Sequence, residues 1–156
     1  MTEFAGLYTA VVESGPKEIE RNLTKIPGIH KQEALDSALE KAISLSIDPK
    51  IQNIQYLLKL GADPNGPSED AGIILSYAYS AGLENIVELL LRAGADINAK
   101  HSNVLEQAVH KGDAKYVVRF VENGAHISNK LLLSDNLLTA AEGYPEIQKY
   151  LITKGL

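Results

Sequence analysis

The chain has 156 residues, of which 45% are hydrophobic and 22% charged, and its formal net charge is −5 at pH 7. This composition is typical of a globular protein and argues against a disordered chain, while the acidic balance argues against a nucleic-acid-binding protein. The chain has no cysteine, which excludes disulfide bonds and thiolate metal ligands.

The N-terminus carries no basic start before an apolar core, so we expect no secretory signal. No apolar stretch approaches the roughly 20 residues that a membrane-spanning helix needs. We therefore expect an intracellular, cytoplasmic protein without a membrane partner. If the source is a pathogen, delivery into a host cell is the alternative.

In the first third of the chain, the apolar pattern predicts two pairs of helices. The first pair covers Leu7 to Glu13 and Glu18 to Ile26, and the second covers Glu33 to about Leu45 and Ile51 to Leu60. Between the helices of the second pair lies an extra stretch, Ser46 to Lys50. Insertions in repeat arrays become loops that can carry contacts. The alternative is a tolerated insertion without a function.

From residue 57 onward, one pattern recurs. It is a leucine-rich helix end followed by glycine, and in the first three copies by alanine and two polar residues. A glycine after such a helix ends it in the left-handed conformation at little steric cost. Four copies stand in phase, 33, 30 and about 31 residues apart: Leu57 to Asn65, Leu90 to Asn98, Phe120 to Ser128, and the partial copy Leu151 to Gly155.

Each copy completes a unit of two helices, and one pair of helices cannot bury its apolar faces alone. Neighbouring pairs bury them for one another when they stack. We therefore predict an all-α solenoid of about five stacked helix-turn-helix units, forming a single domain over residues 1–156. The approximate units are 1–30, 31–65, 66–98, 99–128 and 129–156.

These residues resemble the ankyrin-repeat family in two features. One is the ending Leu-Leu-x-x-Gly-Ala-Asp-x-Asn, and the other is the helix pattern Leu-x-x-Ala, then Gly, then Val-Val. The resemblance is clear over about Ile54 to Gly155. It implies that short finger loops connect the units, and that the protein recognises other proteins through the concave face of the first helices and the tips of the finger loops. The family's Thr-Pro-Leu-His opening is reduced to its leucine, as in Ile73 to Ser76. We therefore expect stacking to rest mainly on apolar contacts.

If the first helices line the concave face, their exposed side chains and those of the finger loops would contact a partner. Tyr77 is the best single candidate, because tyrosine covers apolar area and still offers a hydroxyl. The alternative is that Tyr77 packs against its own finger loop, and we expect Tyr79 to face the core. The predicted partner-binding residues are Ile74, Tyr77, His101, Ser102, Gln107, His110 and Lys111.

The residue types that could act in catalysis or bind a metal do not form a catalytic or metal-binding pattern. No two of the four histidines have the spacing that places two ligands on one helical face, and no nucleophile or phosphate-loop motif occurs. We therefore expect no metal, no cofactor and no enzyme activity, and a monomer that binds another protein of unknown identity. The alternatives are a non-catalytic or cryptic enzymatic part of a larger assembly, and a self-associating structural protein.

Overall fold

A computed structural model describes residues 4–127 and 136–156 of the chain, and these residues form helices and turns without a strand. The expected all-α class is confirmed. The helices are α1 (Ala5–Glu13), α2 (Pro16–Leu23), α3 (Lys31–Ser44), α4 (Ile51–Lys59), α5 (Ile73–Ser80), α6 (Glu84–Arg92), α7 (Val104–His110), α8 (Ala114–Glu122), α9 (Leu137–Ala140) and α10 (Pro145–Thr153).

The chain divides into two compact units, Met1–Asp96 and Ile97–Leu156, called unit 1 and unit 2 below. Unit 1 contains three helical hairpins, α1–α2, α3–α4 and α5–α6. Its first helices pack side by side, α1 on α3 and α3 on α5, and its second helices pack as α2 on α4 and α4 on α6. The stacking of hairpins predicted from the repeats is therefore present in this unit. The division into one domain of five repeats stays a prediction.

Unit 2 contains two hairpins, α7–α8 and α9–α10. Helix α7 packs against α9, and α8 packs against α10, so the arrangement of first and second helices is the same as in unit 1. Phe120, Leu137 and Leu151 are fully buried between these helices. Each of these buried side chains contributes about 1.5–3 kcal/mol through the removal of apolar surface from water.

The glycines that end the second helices behave alike in both units. Gly61, Gly94 and Gly124 have φ angles of 101°, 92° and 88°, in the left-handed region that glycine adopts without a steric penalty. After each glycine, the next N–H donates to the carbonyl five residues earlier. This bond satisfies a carbonyl that the helix end leaves free. The three pairs are Ala62 to Leu57, Ala95 to Leu90 and Ala125 to Phe120, at 3.0, 3.0 and 2.9 Å.

The C-terminal end of α1 is held by polar groups from the start of α4. Asn53 is fully buried, and its Nδ2 donates to the Val11 carbonyl at 2.9 Å. The Lys50 Nζ donates to the carbonyl oxygens of Glu13 and Ser14 at 2.6 and 3.1 Å. Because the last carbonyls of a helix have no partner within it, these bonds fix α1 on the second hairpin.

In unit 2, the turns of the two hairpins touch. Tyr144, in the turn before α10, packs its ring on Gly112, in the turn before α8. A Cβ atom on Gly112 would overlap that ring, and the φ angle of Gly112 is +66°. Position 112 therefore requires glycine for its backbone conformation and for the space that the tyrosine ring occupies.

Candidate functional site

The first helices of the hairpins place side chains of different chemistry at one repeating position. Ser37 on α3, Tyr77 on α5 and Gln107 on α7 each precede a fully buried alanine in their helix. Ser37 and Gln107 are partly exposed, and Tyr77 is 38% exposed. The side chains at this position are therefore at least partly exposed in all three helices.

In unit 1, a cleft of about 590 Å³ lies between α3 and the loop that precedes α5. Five of its nine lining residues carry carboxylates, and none of these nine is a lysine or an arginine. The residues from α3 are Gln32, Glu33, Asp36, Ser37 and Glu40, and the loop supplies Pro67, Ser68, Glu69 and Asp70. We call this feature the acidic cleft.

Asp36 is the most constrained carboxylate of the acidic cleft. Its Oδ1 accepts hydrogen bonds from the backbone N–H of Asp63 at 2.7 Å and from the Gln32 Nε2 at 2.8 Å. Burial raises the pKa of this carboxyl above its ordinary value. The two hydrogen bonds oppose that rise, and the charge of Asp63 adds to it.

Two further carboxylates of the acidic cleft have basic neighbours along α3. The Glu40 Oε1 lies 3.0 Å from the Lys41 Nζ, and the Glu33 Oε2 lies 3.5 Å from the Nδ1 of His30. Such pairs at a surface contribute little to stability. The loop side of the cleft presents Glu69 and Asp70, whose side chains are exposed.

Tyr77 reaches from α5 to the end of α3. Its hydroxyl donates to the Ser44 carbonyl at 3.3 Å while the residue stays 38% exposed. This contact is with the neighbouring hairpin, not with the finger loop that the alternative interpretation names. Tyr79 is 5% exposed, which confirms that it faces the core.

Ile74 is a correction to the predicted surface. We expected its side chain to be exposed, but it is only 2% exposed. The loop before α5 folds back over it, and a Cβ on Gly66 would lie 3.4 Å from the Ile74 Cγ2. Burial under its own loop removes Ile74 from any surface that a partner can reach.

The remaining candidates belong to unit 2. His110 and Lys111 are exposed at the end of α7, and the His110 Nε2 lies 3.9 Å from the Oε1 of the buried Glu106. The Gln107 Nε2 donates to the Asn103 Oδ1 at 2.6 Å. This bond leaves the Gln107 Oε1 buried without a hydrogen-bond partner among the described residues.

His101 and Ser102 lie in the loop before α7 and are partly exposed. The Ser102 Oγ is also buried without a partner within residues 4–127 and 136–156. It borders a small cavity of about 120 Å³ that Asn98, Glu106 and His126 help to line. The five candidates of unit 2 therefore lie within 11 consecutive residues, which cover the loop before α7, α7 itself and the residue that follows it.

A set of hydrogen bonds between successive repeats, which we call finger links, was missed by the sequence analysis. The Asn65 Oδ1 accepts from the Asp96 N–H at 2.7 Å, and the Asn98 Oδ1 accepts from the His126 N–H at 2.8 Å. Asn98 also donates through Nδ2 to the Gly124 carbonyl at 2.8 Å. Stacking thus has a polar component beside the apolar contacts that we expected. Asparagine recurs at positions 65 and 98, and this recurrence is the sequence signal from which the finger links could have been predicted.

In residues 4–127 and 136–156, no three histidine, aspartate or glutamate side chains cluster closely enough to hold a metal ion. No helix in this part of the chain combines the length and hydropathy that a bilayer crossing requires.

The comparison with known families matches one part of the chain. The family model for the ankyrin repeat matches residues 74–102, which cover nearly all of α5, the whole of α6 and the loop that follows. No curated protein matches the chain. Residues 74–102 are therefore similar to an ankyrin repeat.

Proposed function

We propose that this chain binds a partner protein through the exposed faces of its first helices and through its finger loops. The ankyrin repeat is a known protein–protein interaction module, and its family is typically non-catalytic. In unit 2, the proposed contacts are His101, Ser102, Gln107, His110 and Lys111. In unit 1, Tyr77 and the acidic cleft form the proposed contact surface. An intracellular site of action is part of the proposal.

The acidic cleft is the observation that carries the proposal, because two successive repeats supply its two walls. A partner segment that enters it meets carboxylates from α3 on one side and from the loop at 67–70 on the other. Carboxylates attract lysine and arginine, and complementary charge raises association rates and selects among partners. We therefore propose that a basic segment of the partner occupies the acidic cleft.

Peptide selection on the immobilised full chain tests this proposal. Random peptides displayed on phage should yield binders that are enriched in lysine and arginine. The affinity of the selected peptides should fall at least tenfold, or about 1.4 kcal/mol, in the double variant Glu69→Lys with Asp70→Lys. It should also fall with added salt, since screening weakens exposed charge pairs.

The matched control is the double variant Glu142→Lys with Glu146→Lys, which makes the same charge change at exposed residues outside the acidic cleft. It should retain the affinity of the wild type. Circular dichroism must show the same helical content for all three proteins. Binders without a basic excess, or an equal loss of affinity in both double variants, would reject the acidic cleft as the site.

A further inference from the structure

The connection between α3 and α4 differs from the other helix connections within the hairpins. It covers six residues, 45–50, whereas the α5–α6 and α7–α8 connections cover three each, 81–83 and 111–113. The shorter connections contain Gly82 and Gly112 with positive φ angles, and the longer one contains no glycine. The longer connection is therefore not the minimal turn that these hairpins need.

The same connection exposes apolar side chains that the core does not use. Leu45 is 61% exposed, Ile47 is fully exposed, and Ile51 at the start of α4 is 40% exposed. Exposed apolar residues are ordinary when they are scattered, but a group of them marks an interaction site. Three such residues within seven positions form a group, and its most prominent member, Ile47, projects from the connection.

A groove of about 370 Å³ lies between this connection and the α5–α6 turn, within unit 1. Its apolar walls come from Ile51, Leu83 and Ile86, and carboxylates stand at both sides, Asp48 on the connection and Glu84 at the start of α6. None of the residues that line it is basic. The nearby Lys50 directs its Nζ to the carbonyl oxygens at the end of α1. The groove thus combines apolar side chains with two carboxylates and has no basic side chain in its lining.

We propose that the groove, together with Leu45, Ile47 and Ile51, is a second docking surface that takes an amphipathic helix of a partner protein, apolar on one face and basic along its edge. The charge of the two carboxylates selects the basic edge, and the exposed side chains select the apolar face. The described part of unit 1 has no strand edge that could pair with an extended peptide. Strand addition is therefore not available there, whereas an amphipathic helix presents an apolar face and a basic edge together, which matches the exposed apolar side chains and the two carboxylates.

This surface is separate from the acidic cleft. The acidic cleft uses residues 32–40 of α3, whereas the docking surface begins where α3 ends at Ser44. The inference goes beyond the proposed function, because it assigns a second partner contact outside the first-helix face and the finger loops. A variant that removes binding at one of these two surfaces leaves the other intact, so binding at each surface can be tested separately.

The probe is a synthetic peptide of about 18 residues made of leucine and lysine, with the leucines at the spacing of one helix face. Titration of the full chain, followed by amide NMR shifts and calorimetry, should show micromolar binding, with shifts at residues 45–51 and 82–86. The double variant Leu45→Ser with Ile47→Ser should weaken the peptide at least tenfold. A scrambled peptide of equal composition should bind at least tenfold more weakly than the amphipathic one.

The control variant Ile29→Ser with Ile152→Ser removes two exposed aliphatic side chains elsewhere and should bind like the wild type. In the acidic-cleft variant Glu69→Lys with Asp70→Lys, the peptide should still shift the amide signals of residues 45–51 and 82–86, which separates failure of this inference from failure of the proposed function. Equal binding of the amphipathic and scrambled peptides, or equal binding to the Leu45–Ile47 variant and the wild type, would overturn the inference. So would self-association through this surface, detected by sedimentation and abolished in that variant.

Discussion

The finger link made by Asn98 in unit 2 and the link made by Gln32 and Asp36 in unit 1 reach equivalent backbone groups in different ways. Asn98 alone donates to the carbonyl of the helix-ending glycine and accepts from the N–H two residues later. In unit 1 these tasks are divided, since Gln32 donates to the glycine carbonyl at 2.9 Å and Asp36 accepts from the N–H. The two side chains also bond to each other at 2.8 Å.

The difference shows that the same two backbone groups can be met in two ways. In both links a donor meets the glycine carbonyl and an acceptor meets the later N–H, but neither an asparagine nor a single residue is needed. The link shared by Gln32 and Asp36, called the divided link below, has an energetic cost that the asparagine link avoids. It places the Asp36 carboxylate in a partly buried position, where burial raises the pKa of that carboxyl. The neutral amide of asparagine accepts the same hydrogen bond without a charge.

Removal of the whole link in unit 2 should have the largest effect. Asn98→Ala deletes both hydrogen bonds and should lower the free energy of unfolding by about 1–2 kcal/mol. Urea denaturation followed by circular dichroism measures this change. Asn98→Asp keeps the acceptor and loses the donor, so its loss should be smaller than that of alanine in the absence of charge effects. An alanine variant as stable as the wild type would show that the link adds nothing to stacking.

Removal of half of the divided link should have an intermediate effect. Gln32→Ala deletes the bond to the Gly61 carbonyl and the bond to Asp36, but the bond between Asp36 and the Asp63 N–H remains. We expect a loss of about 0.5–1 kcal/mol in the same denaturation experiment. The exposed neighbour Lys31→Ala serves as the control for a helix-surface substitution. A loss as large as that of Asn98→Ala would mean that the two tasks are not divided as the contacts indicate.

The smallest effect should appear as a pH dependence. Because the folded-state pKa of Asp36 is raised, the folded protein binds more protons than the unfolded chain in the window above the ordinary aspartate pKa of about 3.9. The contribution of Asp36 to stability is therefore greatest below this window and falls as pH rises through it. Asp36→Asn, which cannot ionise, should gain stability relative to the wild type between pH 4 and pH 7.

Urea midpoints of the two proteins across that pH range provide the measurement. Asp70→Asn removes a carboxyl from the same cleft and is the matched control for the loss of one charge. A stability difference between Asp36→Asn and the wild type that stays constant or shrinks with rising pH would contradict a raised pKa of Asp36 in the folded protein.

The repeats allowed most of the fold to be predicted, because hydrophobic periodicity and recurring glycines are local properties of the chain. The helix-ending glycines at 61, 94 and 124 were expected from their spacing, and their left-handed backbones confirm it. The exposure of Tyr77 and the burial of Tyr79 also followed from helix periodicity. These properties depend on residues that are close together in the sequence, so the sequence pattern alone is enough to predict them.

The burial of Ile74 and the hydrogen bonds of Asn53 could not be predicted in the same way. Ile74 is covered by a loop whose path the helix period does not describe. Asn53 stands where later repeats have Ile86 and Tyr116, and its partner is a carbonyl 42 residues away. Such contacts depend on how two hairpins meet in three dimensions. The same reason explains why the finger links escaped the sequence analysis.

The contact of Tyr144 with Gly112 has a consequence for how such repeats diverge. The residue permitted in one hairpin turn is set by a side chain that belongs to the following hairpin, so the two positions do not evolve independently. A lineage could gain a larger residue at 112 only if the ring at 144 were displaced or lost, and the positive φ angle would still favour glycine. The order of substitutions, and not only their identity, therefore limits the histories open to this part of the chain.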